Sequence, residues 1–170
     1  MSPKARTFWP LLFVLVLADC TSKDLAVQML SPGLVSHEFL DSLVRFTLVY
    51  NPDTAFGFDL QPIFGNWERA VLIAMMLTIL VVMMRIYWKS APRARLAAAA
   101  LALTCGGAIG NIFDRIRYPQ GVVDFIDLGF GTHRLFICNV ADVGVSIGAV
   151  LLALVLLRDE PNNTIPQSPA

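Results

Sequence analysis

Charge and histidine are scarce in this chain. Of 170 residues only 15% are Asp, Glu, Lys or Arg, against about 25% in a soluble domain. The only histidines, His37 and His133, lie in loops between apolar runs, and no H-E-x-x-H occurs, so neither a metal centre nor a cofactor is expected. There is no G-x-S-x-G, the turn that exposes a serine nucleophile. Three cysteines, Cys20, Cys105 and Cys138, are odd in number and unevenly spaced in apolar surroundings, which excludes a disulfide framework and a zinc spacing. Thirteen basic residues balance thirteen acidic ones, leaving no surplus to attract nucleic acid.

What fills the chain instead is apolar: 56% of residues are hydrophobic and mean hydropathy is +0.63. No internal repeat is present. The composition predicts one integral membrane domain over 1–158 and a flexible cytoplasmic tail over 159–170. Four transmembrane helices are expected at about 8–29, 69–88, 95–114 and 136–157, each close to the roughly 20 residues a bilayer requires. The first spans only if it carries Asp19, Lys23 and Asp24 in its outer half. Its start, Lys4 and Arg6 before Phe8–Ala18, also has the pattern of a secretory signal, but Asp19 replaces the small residue that cleavage before Cys20 requires. The third is rich in Ala and Gly, which lets helices approach closely in lipid.

Basic residues set the orientation. Lys4 and Arg6, then Arg85, Lys89, Arg93 and Arg95, then Arg158 mark cytoplasmic ends, whereas Glu38, Asp41, Asp53, Asp59 and Glu68 lie in an outer segment. Both termini are therefore expected in the cytoplasm. The outer segment, about 32–66, reads as β-rich: Val44–Tyr50 alternates as a strand, Asn51-Pro52-Asp53 turns, and Thr54–Phe58 suits a return strand. The fold class is thus membrane all-α, four transmembrane helices with a small periplasmic sheet. A short interfacial segment, Gly121–Ile126, is expected between helices three and four, presenting Asp124.

The few polar residues in apolar surroundings are functional candidates, because a carboxylate at a helix centre in a membrane costs about 2.5–3.5 kcal/mol by insertion scales. Asp19 and Lys23 are i,i+4, Asn111 and Arg115 are i,i+4, and Asn139 and Asp142 are i,i+3, so helices one, three and four can turn polar faces to one point near the outer surface. Asp124 joins them from the loop. Two neighbouring carboxylates share a proton, and such a pair hydrolyses a peptide by general acid–base chemistry without a metal or covalent intermediate. The pattern fits a polar pathway through a small transporter or a lipid-binding scaffold equally well. Asp19 and Lys23 also read simply as an ion pair that makes helix one tolerable in lipid.

The sequence blocks add a resemblance. Asp19-Cys20-Thr21-Ser22-Lys23, the run from Gly106 through Asn111, Asp114 and Arg115, then Val122-Val123-Asp124-Phe125 and Asn139-Val140-Ala141-Asp142 resemble, in order, the D-x-x-S/T-K, G-G-A-x-G-N-x-x-D-R, V-V-D-F and N-x-A-D blocks of lipoprotein signal peptidases (signal peptidase II). The resemblance implies an inner-membrane aspartyl endopeptidase that cuts prolipoproteins before a diacylglyceryl-modified cysteine. It implies Asp124 and Asp142 as the catalytic pair, with Asp19, Lys23, Asn51, Asn111, Arg115 and Asn139 shaping the substrate pocket. Lipid-modified precursors and membrane lipids would be the partners of a monomer. One block departs: where the family has N-x-G-A-A-F, this chain has Asn51-Pro52-Asp53-Thr54-Ala55-Phe56. Asp53 in place of glycine alters a turn that favours φ > 0, so a diverged paralogue with a narrowed substrate range is the variant reading.

Overall fold

The computed structural model describes residues 1–30, 35–39, 43–52 and 60–158, with residues 35–39 and 158 described as backbone alone. Helix α1 (Pro3–Met29) begins where the Ser2 hydroxyl accepts the Ala5 N–H at 3.4 Å, with Pro3 in the first turn, where no N–H is needed. Its buried residues, Phe8, Leu15, Asp19, Lys23 and Ala26, recur at helical intervals and form one stripe. Strands β1 (Val35–Phe39) and β2 (Val44–Asn51) follow, then a single turn, α2 (Gln61–Phe64), which leads through a 3-10 turn into α3 (Glu68–Lys89). The chain continues through α4 (Arg95–Arg117), strands β3 (Val122–Phe130) and β4 (His133–Cys138), and α5 (Val140–Arg158).

Helix α4 occupies the centre, packed against α1, α3 and α5. Its small residues make this possible: a Cβ at Gly107 would lie 2.5 Å from the Ala141 carbonyl oxygen, and one at Gly110 would collide with the Asp19 carboxylate. At one end of the bundle Phe8 stacks on Tyr87 with ring centroids 4.0 Å apart, over Ala98, Leu101, Ala102 and Cys105. There Lys4 Nζ donates to the carbonyl oxygens of Tyr87 (2.8 Å) and Ser90 (2.6 Å) at the C-terminus of α3, where the Ser90 hydroxyl also bonds the Tyr87 carbonyl oxygen at 2.7 Å. Among the described residues, three helical segments are long and apolar enough to cross a membrane: Gln61–Lys89, Arg95–Arg117 and Val140–Leu157. Helix α1 has the length, 27 residues, but carries Asp19, Lys23 and Asp24 in its second half.

At the other end of the bundle the four strands form one antiparallel sheet in the order β1-β2-β3-β4. Asn51 pairs with Val122 and Val49 with Asp124 across β2 and β3, while Ile126 pairs with Cys138 across β3 and β4. Arg134 Nε meets Asp127 Oδ1 at 2.8 Å, fastening the hairpin.

Two expectations need correction. The short interfacial segment of Gly121–Ile126 is instead a nine-residue inner strand, β3. The fourth helix begins at Val140, not at 136, because Phe136–Cys138 end strand β4. An apolar strand running straight into an apolar helix hides the change of period. The remaining helices differ from their expected limits by a few residues at their ends, most at the start of α1, and 61–66, placed in the β-rich segment, is helical turn. The return strand at Thr54–Phe58, the departures at Asp53 and Thr54, and the tail over 159–170 lie outside the described residues.

Candidate active site

The start of α5 builds the site's first half. Asn139 caps the helix and Asp142 is its third residue: the Asp142 N–H donates to Asn139 Oδ1 at 2.9 Å, and the Asn139 N–H donates to Asp142 Oδ2 at 3.3 Å. This reciprocal pair is a capping box. It fixes the Asp142 carboxylate at a helix N-terminus, where the backbone dipole favours negative charge.

Asn139 has two amide donors left. One reaches Asp124 Oδ1 at 2.7 Å and Nδ2 also lies 3.2 Å from Asn111 Oδ1. Asn51, at the end of β2, donates to the other oxygen of Asp124 at 3.0 Å. Asn111, on α4, donates to Asp142 Oδ1 at 2.9 Å. Each of the four carboxylate oxygens of Asp124 and Asp142 thus accepts one N–H, and Asn139 touches both groups.

A buried lysine holds this set from behind. Lys23 Nζ lies 2.8 Å from Asp19 Oδ2, 2.9 Å from Asp114 Oδ2 and 2.8 Å from Asn111 Oδ1. An ammonium has three N–H donors, and three acceptors surround it, which is the condition for burying a charge without a large penalty. Asp19 Oδ1 in turn accepts the Ala141 N–H at 2.8 Å, tying α1 to the first turn of α5. Asp114 Oδ2 accepts the Val123 N–H at 3.0 Å, tying α4 to the strand residue before Asp124. Arg115 is buried, with its NH1 3.5 Å from the Asn111 carbonyl oxygen.

All eight residues singled out in the sequence therefore meet in one network. Asp114, one of the polar residues near the helix ends but given no role in the pocket by the sequence, bridges Lys23 and the Val123 N–H. The available signal was its i,i+3 spacing from Asn111, which puts both on one face of α4. The Ser22 hydroxyl turns back to the Asp19 carbonyl oxygen at 2.9 Å, so no Ser–Lys pair forms.

Asp124 is only 3% exposed. Burial pushes its carboxyl up to about 6; the Asn51 amide opposes the shift, the neighbouring Asp142 adds to it, and Asn139 and Lys23 oppose it more weakly. Asp142 is half-buried. A less accessible carboxyl that protonates near neutrality, beside a more accessible one, is an arrangement suited to general acid–base hydrolysis.

Comparison with known proteins agrees with this chemistry. A family model described as signal peptidase (SPase) II matches residues 11–158. A protein of Sulfurihydrogenibium sp. (strain YO3AOP1) named lipoprotein signal peptidase is 33% identical over 152 residues, covering 89% of this chain and 91% of the relative. One of Ectopseudomonas mendocina (strain ymp), of the same name, is 36% identical over 154 residues, with 89% of each chain covered. Among solved structures, a bacterial membrane enzyme determined by the in meso method at 2.3 Å resolution superposes with a TM-score of 0.80 at 24% identity, over 99% of both chains. That likeness concerns the fold. With the family model spanning all the polar blocks that converge here, this chain belongs to the signal peptidase II family of membrane peptidases.

Proposed function

We propose that this protein removes signal peptides from prolipoproteins by cutting before a diacylglyceryl-modified cysteine, with Asp124 and Asp142 as its catalytic pair. The observation that carries the assignment of the pair is Asn139, whose side-chain amide bonds Asp124 while its main-chain N–H bonds Asp142. Two carboxylates so joined can divide the work of base and acid between them. The ionised member draws a proton from water while the protonated one hydrogen-bonds the scissile carbonyl. The water oxygen bonds the carbonyl carbon as the carbonyl oxygen takes the second carboxyl's proton; the C–N bond then breaks as the first carboxyl returns its proton to the departing nitrogen and the second takes back the hydroxyl proton. Asn51, Asn111, Arg115 and Asn139 border the reacting peptide, and Asp19 and Lys23 shape the pocket by holding α5 and α4 in place.

In this reading α1 is a fourth membrane span. Its buried charges are turned inward, where Lys23 pairs with Asp19 and Asp114, while Phe13, Val14, Leu17 and Leu25 face outward and Asp24, near the outer end, pairs with Arg117. The Lys- and Arg-bearing ends lie in the cytoplasm of an inner-membrane protein, and the sheet and the carboxylates lie at the periplasmic face. There a lipid-anchored cysteine holds its scissile bond near the headgroups. One copy suffices, since every residue of the network comes from one chain.

The test is incubation of purified protein with a diacylglyceryl-modified precursor and with the same precursor unmodified. A shortened product is expected from the modified precursor only, unchanged by EDTA. Equal cleavage of both would remove the substrate assignment, and loss with EDTA restored by Zn²⁺ would remove the two-carboxylate mechanism.

A further inference from the structure

At the end of the bundle opposite the carboxylates, α3 presents a second feature. A shallow groove of about 390 Å³ runs along its outer face, lined by Leu77, Thr78, Val81, Val82 and Arg85. The Thr78 hydroxyl donates to the Ala74 carbonyl oxygen at 2.8 Å, so the groove wall is apolar until Arg85. One further turn brings Trp88, 65% exposed, and Lys89, at i+3 and i+4 from Arg85 and so on the same face.

Both cations are exposed. Lys4, the nearby lysine of α1, is committed to the carbonyl oxygens of Tyr87 and Ser90. Arg85 and Lys89 have no such role, and among the described residues no hydrogen bond or ion pair reaches either. The sequence holds no Asp or Glu from 70 to 113, and Arg93 and Arg95 beside them are also exposed.

An apolar track about 12 Å long from Leu77 to Arg85 at 1.5 Å per residue, closed by two cations one turn apart and an indole at the same level, matches the order of parts in a phospholipid: acyl chain, phosphate, headgroup. Trp favours that boundary, and cations beside it attract anionic lipids. We propose that this face of α3 is a binding site for one anionic phospholipid, with its phosphate between Arg85 and Lys89 and an acyl chain along Leu77–Val82. The complementary charge singles out an anionic headgroup over a zwitterionic one.

The test is native mass spectrometry of the full chain released from detergent after addition of phosphatidylglycerol or phosphatidylcholine with identical acyl chains. Wild-type protein is expected to retain phosphatidylglycerol preferentially. A cation near the headgroups contributes roughly fivefold, so Arg85→Gln with Lys89→Gln should weaken phosphatidylglycerol retention about 25-fold and leave phosphatidylcholine unchanged. Arg93→Gln with Arg95→Gln should keep most of the preference. Precursor cleavage and thermal melting in detergent should match wild type in both double variants, separating lost lipid from lost fold. Equal retention of the two lipids by wild type, or a preference that survives loss of Arg85 and Lys89, would overturn the site. Displacement by excess inorganic phosphate would show a free-anion site and overturn the lipid.

Discussion

Asp19 Oδ1 accepts the main-chain N–H of Ala141 at 2.8 Å, a bond between residues 122 positions apart. It turns the polar stripe of α1 into a support for the helix start that carries Asp142. The other oxygen of the same carboxylate meets Lys23, so one aspartate joins a charge and a helix end.

Removing that carboxylate should be costly. Asp19→Ala leaves the Ala141 N–H unpaired and Lys23 with one fewer counter-charge, a loss of about 3–5 kcal/mol for a broken buried pair. Thermal unfolding in detergent should show a much lower midpoint. Asp19→Asn keeps an acceptor for Ala141 and should fall between the two. An unchanged midpoint for the alanine variant would mean that the network carries no stability.

Asp114 should act as a positioning residue for Asp124. Asp114→Asn retains an oxygen for the Val123 N–H but loses the charge facing Lys23, whereas Asp114→Ala loses both. Turnover should fall in the order wild type, Asn variant, Ala variant, with KM changing less than kcat. A change confined to KM would place Asp114 in substrate binding instead.

The raised carboxyl of Asp124 has a consequence for stability. Its folded value of about 6 lies above the ordinary 3.8, so between those values the folded state holds more protons than the unfolded one. Stability from this group is therefore fully present below about pH 4 and is lost as pH rises through about 6, by roughly 3 kcal/mol from a shift of about two units. Unfolding measured across that range should show this decline in wild type and a smaller one in Asp124→Asn. Equal slopes would mean that Asp124 titrates normally.

Gly110 is a steric test of the same region. A Cβ there would collide with the Asp19 carboxylate, so Gly110→Ala should destabilise the protein by about 1–3 kcal/mol, the usual range for overpacking. Gly131 has open space around its Cβ position but a φ of +55°, so alanine there should be strained without disturbing the site. The comparison of melting midpoints with precursor cleavage separates the two effects.

The site was more legible in the sequence than the sheet. Asp19, Lys23, Asn111, Arg115, Asn139 and Asp142 stand out because polar groups are rare in apolar helices and their i,i+3 and i,i+4 spacings place them on common faces. Strand β3 was hidden for the opposite reason. Val122, Val123, Asp124 and Phe125 are all buried, so the polar–apolar alternation that marks a half-exposed strand is missing. The boundary at Asn139 was readable as a helix cap, yet the apolar stretch Leu135–Cys138 masked it. The link from Asp114 to Val123 was not readable, since it depends on how α4 meets the strand.

The account rests on Asp124 and Asp142 working as one hydrolytic unit. Its most direct test is turnover of a diacylglyceryl-modified precursor by Asp124→Asn, Asp142→Asn and the double variant, each shown to be folded by its melting profile. Each single change should abolish cleavage, and the double change should cost no more than either alone, because members of one unit are not additive. Near-normal turnover by either single variant would contradict it.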